Sequence, residues 1–240
     1  MGTVADTGLR LREMARQPTT FGMVLLLPPV AIEVYGAAVA SFPALPGLEA
    51  DPGIVGRMTG TLFAVAFLAG LLGLFQVISA RSGDDRLALC GYPRSRLLAT
   101  RLATMVALAS LTAVVAVAVL SWRVDVAAPA LAVGVLVVAG TLYGLVGVVV
   151  GTLLPRDLEG SLVLVFLADV DNALASGLFD LGGVARVSPL YHPHELFEAA
   201  VTEGTLAAGH LLPTAAYLGV LLVAAVVATT RLAGSGGIAG

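Results

Sequence analysis

Three acidic side chains stand inside apolar stretches of the chain: Glu33, Asp169 and Asp171, with Asn172 directly after the last. A charged group at membrane depth costs several kcal/mol unless it faces protein or water. These residues therefore predict either a polar lining of a substrate path or a break in a helix. The structural alternative is that A-D-V-D-N marks where the chain nears the outer interface. On a continuous helix Asp169 and Asp171 project about 200° apart, which excludes a catalytic carboxylate pair.

A second group of chemically capable residues contains His192, His194 and Glu195. Imidazole and carboxylate groups are zinc ligands, but a closed zinc site needs four of them, and no further clear ligand is present. Pro193 also separates the two histidines. The favoured interpretation is a turn followed by an amphipathic helix, E-L-F-E-A-A-V, at the membrane surface, and metal binding stays open.

Enzyme signatures are missing from the sequence. It has no phosphate-binding loop, whose lysine it could not supply because all thirteen basic residues are arginine, and no H-E-x-x-H or nucleophile-elbow motif. The single cysteine, Cys90, excludes an intrachain disulfide and a cysteine-cluster metal site. We expect a chain that is not an enzyme and binds no cofactor itself.

The composition of the chain indicates what kind of fold holds these residues. Of 240 residues, 58% are hydrophobic and 12% charged, and the mean hydropathy is +0.96. A soluble domain carries about 25% charged residues, so this chain is an integral membrane protein surrounded by a lipid bilayer. The net charge of −3 gives no indication of a nucleic-acid partner.

Six apolar segments are long enough to cross a bilayer, which takes about 20 residues. We predict an all-α integral membrane fold with six transmembrane helices in a single domain over residues 1–240. A cleaved signal peptide is the alternative for the first segment, but Pro28-Pro29 and Glu33 would interrupt its apolar region. The predicted spans are approximately 21–41, 58–80, 97–121, 129–154, 160–181 and 209–230.

Arginine placement predicts the orientation. With the N-terminus inside, ten arginines fall on the inner side and three, Arg57, Arg123 and Arg186, on the outer side. Basic residues are retained on the cytoplasmic side, so both termini are expected to be cytoplasmic in the cell membrane. No internal repeat is visible, which argues against the inverted-repeat architecture of many secondary transporters.

Two further sequence patterns predict an additional helix at the membrane surface and a packing face on the fourth span. Residues 9–17 place Leu11, Met14 and Ala15 on one face, as an amphipathic interfacial helix would. The fourth span carries Gly140, Gly144, Gly147 and Gly151 at spacings of four, three and four, a stripe that allows a neighbouring backbone to approach closely.

The inner loop between spans two and three, RSGDDRLALCGYPRSRLLATRL, mixes arginines with apolar residues. A loop made only for topology needs neither apolar residues nor a proline-led helix start. We therefore predict a short cytoplasmic coupling helix that docks a partner protein. Its candidate contact residues are Asp84, Asp85, Leu87, Leu89, Tyr92, Arg94 and Arg96.

This loop resembles that of the permease subunits of ABC-2 type transporters. Gly83-Asp84-Asp85 matches their acidic start, Pro93-Arg94-Ser95-Arg96 their proline segment, and Leu97-Leu98 with Arg101 the opening of span three. Ser188-Pro189-Leu190-Tyr191-His192 resembles their motif between spans five and six. Among the branches, the fluoroquinolone-export or drug-efflux type is most similar. The acid-rich fifth span departs from the general pattern.

The resemblance implies the membrane half of an ATP-driven exporter for a drug-like or lipophilic compound. Its partners would be an ABC ATPase subunit, which binds the ATP, and a second permease copy or a sister permease. Two other classes remain: an ion- or proton-coupled secondary transporter using Glu33, Asp169 and Asp171, and a membrane-embedded enzyme, for which no acid, base or nucleophile set was found.

Overall fold

The computed structural model describes residues 18–42, 51–78, 94–154, 156–177 and 182–235, and within these ranges no strand occurs. Two short 3₁₀ helices, Gly182–Val187 and Ala208–His210, precede the last two α-helices. The α-helices are α1 (Pro18–Ala40), α2 (Pro52–Ile78), α3 (Arg94–Leu120), α4 (Pro129–Leu153), α5 (Asp157–Ala175), α6 (Tyr191–Thr202) and α7 (Leu211–Ser235).

Within the described part of the chain, five helical segments are long and apolar enough to cross a membrane. Lipid hydrocarbon offers no hydrogen-bond partners to the backbone, whereas in an α-helix the backbone N–H and C=O groups bond to each other. Long apolar segments in a bilayer therefore fold as helices. The all-α membrane fold is confirmed at this level, and these segments coincide with five of the predicted spans. They are Gly22–Ala40, Pro52–Ile78, Ala99–Leu120, Pro129–Leu153 and Ala208–Thr230.

The second span starts earlier than predicted, at Pro52 rather than residue 58. Asp51 caps this helix, since its Oδ1 accepts hydrogen bonds from the backbone N–H of Gly53 at 2.8 Å and of Ile54 at 3.1 Å. A capping aspartate followed by proline is a favourable helix start. Arg57 lies inside this helix even though it is charged, because the aliphatic part of its side chain packs over Gly36 of α1.

The helix α5 runs alongside α2 in the opposite direction. Gly160 contacts Leu74, Leu164 contacts Gly70, and Asn172 hydrogen-bonds to Thr59. α5 therefore covers the depth of α2 between Leu74 and Thr59, about 22 Å at the usual helical rise. It is not among the five apolar segments, and it carries two further acids, Asp157 and Glu159, in its first turn.

The centre of the bundle is a seam between α2 and α4 where two backbones touch. A Cβ atom added at Gly147 would lie 1.9 Å from the carbonyl oxygen of Gly70, and one at Gly73 would lie 2.0 Å from that of Gly144. Only glycine permits this approach. The glycine stripe predicted on the fourth span is confirmed as a packing surface, and its partner is α2.

One end of the bundle, which we call the Arg123 end, holds the C-terminus of α1 and the starts of α2 and α4. The helix α6 packs at this end, with Phe197 and Val201 fully buried in the main core. The backbone N–H of Ala127 donates to the carbonyl of Val201 at 2.9 Å. The predicted helix after Ser188-Pro189 therefore exists, and its apolar face is buried against protein.

Several predicted features lie outside the described residues: the interfacial helix at 9–17, and Asp84, Asp85, Leu87, Leu89 and Tyr92 of the predicted coupling helix. Arg94 and Arg96 fall in the first turn of α3, which matches the predicted helix start near Pro93. Arg101, which the resemblance places at the opening of span three, is buried in α3.

Candidate functional site

The carboxylate of Asp171 is buried in the half of α5 nearer the Arg123 end, with 5% of the residue exposed. Its Oδ2 accepts a hydrogen bond from the hydroxyl of Tyr143 on α4, and its Oδ1 accepts one from the hydroxyl of Ser188, just before α6. Burying a carboxylate is costly unless it is hydrogen-bonded. These two donors meet that requirement and join three segments of the chain.

Asp169 faces a different helix. The hydroxyl of Tyr35 on α1 donates to Oδ1 of Asp169, and the Tyr35 ring lies 5.3 Å from that of Phe63 on α2. α5 is continuous from Asp157 to Ala175, so the predicted alternative of a helix break at these acids is wrong. The expectation that Asp169 and Asp171 point apart is confirmed by their separate partners.

Asn172 is fully buried between α5 and α2, and its side-chain nitrogen donates to the backbone carbonyl of Thr59 at 3.0 Å. Among the described residues its Oδ1 has no hydrogen-bond partner. Its amide therefore belongs to the helix interface and does not line an open path.

Glu33 pairs with a basic residue at the Arg123 end. Its Oε1 lies 2.6 Å from Nε of Arg123, in the segment after α3, and both side chains are about half exposed. The four residues predicted to form one substrate path are thus distributed. Asp171 is the one that is both buried and at the wall of a cavity.

That cavity has a volume of about 280 Å³ and lies between α4, α5 and the 3₁₀ helix Gly182–Val187. Its wall is apolar apart from the Tyr143–Asp171–Ser188 group, and the remaining lining residues are Val146, Leu167, Val170, Leu174, Val184, Val187 and Pro189. Such a site can hold a small apolar molecule beside one carboxylate.

Sequence reasoning missed Tyr143, Tyr35 and the carboxylate contact of Ser188. A tyrosine inside an apolar span is itself a signal, because a buried phenolic hydroxyl usually has a hydrogen-bond partner. Tyr143, between Gly140 and Gly144 of the fourth span, is such a tyrosine. The sequence does not reveal which acid accepts its hydrogen bond.

The structure separates His192 from His194. Nδ1 of His192 lies 3.1 Å from Nδ1 of His210, which precedes α7, and the rings of Tyr191 and Tyr217 flank the pair. Burial lowers the pKa of His192, and the charges of His210 and Arg186 act in the same direction. Sequence reasoning missed His210.

His194 is buried in the core, 2% exposed, and burial lowers its pKa to about 4. Its Nδ1 is 3.9 Å from Oε2 of Glu198, one turn along α6, and neither ring nitrogen has a hydrogen bond within the described residues. Burial raises the pKa of Glu198, with added effect from Glu195 and Glu203. His192, His194 and Glu195 therefore do not form one metal site.

Comparison with known protein families finds no matching family model, and comparison with curated proteins finds no relative.

Proposed function

We propose that this chain is the membrane-spanning permease subunit of an ATP-driven exporter, and that the cavity beside Asp171 is part of its substrate path. The cavity supports the substrate path, and the resemblance of residues 83–101 and 188–192 to ABC-2 permeases supports the ATP-driven class. The cavity is an open cleft between α4, α5 and the 3₁₀ helix Gly182–Val187, and it places one hydrogen-bonded carboxylate in an otherwise apolar wall. The cargo that fits this wall is a lipophilic, drug-like compound with a polar or cationic group.

The proposed topology has six spans, with α5 as the fifth. α5 covers about 22 Å of the depth of α2, and three of its polar residues have partners on other segments: Asp169 with Tyr35, Asp171 with Tyr143 and Ser188, and Asn172 with Thr59. These pairings lower the cost of holding polar groups within the bilayer. An even number of spans, with the arginine distribution, places both termini in the cytoplasm and the Arg123 end outside.

Energy would come from a separate ABC ATPase subunit that binds ATP and docks on residues 81–96. Asp84, Asp85, Leu87, Leu89, Tyr92, Arg94 and Arg96 are its proposed contacts. A second permease copy or a sister permease completes the path. Coupling requires that the ATPase alter the balance between two arrangements of the helices.

An ion- or proton-coupled secondary transporter is the alternative, with Glu33, Asp169 and Asp171 as carriers. It has less support, because each acid contacts a different partner: Arg123, Tyr35, and Tyr143 with Ser188. Within the described chain no group of three or more histidine, cysteine, aspartate or glutamate residues could hold a metal ion.

The test is affinity purification of the chain from its native membrane, followed by transport in inverted vesicles. We expect a phosphate-loop ATPase to co-purify, and lipophilic dye accumulation to require ATP and to persist when an ionophore collapses the ion gradients. Asp171→Asn should reduce accumulation more than it reduces abundance. Accumulation that is driven by an ion gradient without ATP would replace this proposal with the secondary transporter.

A further inference from the structure

The contact between His192 and His210 has the spacing of two ligands on one metal ion. Bonds from imidazole nitrogen to zinc are about 2.0–2.1 Å long, so two of them separate the nitrogens by about 3.3 Å at the tetrahedral angle and by about 2.9 Å at the right angle of a square-planar ion. The two Nδ1 atoms lie 3.1 Å apart. The same distance suits a hydrogen bond in which the Nδ1–H of one neutral imidazole donates to Nδ1 of the other, so both rings can bind a metal ion only after the donor ring moves its proton to Nε2.

The two rings are held in place before any ligand arrives. His192 lies in the first turn of α6, and His210 ends the 3₁₀ helix before α7. The Tyr191 ring lies 5.1 Å from His192 and 5.9 Å from His210, and the Tyr217 ring lies 6.0 Å from His192. Tyr217 is fixed in turn, since its hydroxyl donates to the carbonyl of Val187 at 2.9 Å. A packed pair of ligands loses little freedom on binding.

We propose that His192 and His210 form a two-imidazole site for a divalent transition metal of the Cu²⁺ or Zn²⁺ class, joining the start of α6 to the start of α7. Imidazole nitrogen suits these ions, whereas Mg²⁺ and Ca²⁺ require oxygen. No third histidine, cysteine, aspartate or glutamate joins the pair within the described residues, so water fills the other positions. The positive charge of Arg186 acts on His192 and therefore weakens the binding of a cation there.

The chain offers its own control, because it contains three histidines and His194 lies apart from the pair. The experiment uses the full chain in detergent, without a polyhistidine tag, in a Cys90→Ser background, after treatment with EDTA. Titration calorimetry with ZnCl₂ and with CuCl₂ is expected to show one ion per chain. His192→Gln and His210→Gln should each weaken binding at least tenfold, and His194→Gln should leave it unchanged.

A second measurement on the unmutated pair keeps the test independent of folding in the variants. The electron paramagnetic resonance spectrum of the Cu²⁺-loaded chain should show coupling to two imidazole nitrogens, and Zn²⁺ should raise the melting temperature. A spectrum with one nitrogen or none, absence of binding by the wild-type chain, or binding by His192→Gln and His210→Gln as tight as that of the wild type overturns the proposal. It stands or falls separately from the exporter function.

Discussion

Tyr143 and Asp171 lie on neighbouring helices, α4 and α5, and are joined by a hydrogen bond from the phenolic hydroxyl to the carboxylate. Both residues are almost completely buried. The bond fixes α5 against the helix that carries the glycine seam, and it sets the chemical character of the adjacent cavity.

Tyr143→Phe removes this donor while keeping the ring. We expect it to lower the free energy of unfolding by about 1–3 kcal/mol, because a buried carboxylate then loses one of its two side-chain donors. The measurement is the melting temperature in detergent. Tyr35→Phe is the matched control: it removes the same kind of bond from Asp169, which lies at the surface of the bundle where water in the detergent sample can replace the lost donor, so a smaller loss is expected. Equal losses in the two variants would show that burial of the acid does not matter here.

Gly147→Ala tests the seam between α2 and α4. The new Cβ would lie 1.9 Å from the carbonyl oxygen of Gly70, so the two backbones must separate. Overpacking of this kind typically costs about 1–3 kcal/mol, which should appear as a lower melting temperature.

Gly134→Ala is the control for this change, since it lies on the same helix with no atom within 4 Å of the new Cβ. Helix propensity alone predicts a neutral effect or a gain of up to about 1 kcal/mol. A loss at Gly134 as large as that at Gly147 would contradict the seam as the cause.

The six-span topology predicts that residues 45 and 205 are both outside. Leu45→Cys and Thr205→Cys, each in a Cys90→Ser background, should both react with a membrane-impermeant thiol reagent applied to intact cells. Labelling of only one of the two positions would overturn the six-span topology. Labelling after permeabilisation serves as the positive control for both positions.

Leu89→Asp tests the proposed docking of the ATPase. Full burial of a leucine is worth about 1.5–3 kcal/mol, so loss of this contact should weaken co-purification of the ATPase more than tenfold. Arg96→Ala should matter less, because exposed ion pairs contribute about 0–1 kcal/mol. If the ATPase stays bound and export continues in Leu89→Asp, residues 81–96 are not the docking surface.

The buried His194 predicts a loss of stability in mild acid. Its pKa is about 4 in the folded chain and about 6.5 when unfolded. Between these values the unfolded state binds the additional proton, so the free energy of unfolding falls as pH falls, by at most about 1.4 kcal/mol per pH unit. Melting temperatures of the wild type and His194→Gln, measured with EDTA from pH 7 to 4.5, should converge with falling pH. Parallel curves would exclude this histidine as the cause.

The helices could be predicted from the sequence because a bilayer requires long apolar runs to be helical, as in α3 and α4. The predicted start of α2 was too late because a charged residue, Arg57, suggests the end of an apolar segment. In the structure the aliphatic part of the Arg57 side chain packs on Gly36 of α1, and the helix begins before it. The contacts between residues on different helices could not be predicted. Asp171 and Tyr143 are 28 residues apart, and His192 and His210 are 18 apart, and helical periodicity shows which face a residue occupies but not which helix it meets.

The glycine seam also constrains how the chain is made. Gly70 and Gly147 touch across an interval that contains the whole of α3, so α2 cannot seat in its final place until α4 has been synthesised and inserted. Until then α1, α2 and α3 reside in lipid with the most closely packing face of α2 unmatched. The packing of α2 is therefore a late step in the folding of the bundle. A chain truncated before Pro129 would leave this face of α2 exposed to lipid, where membrane proteases could recognise it.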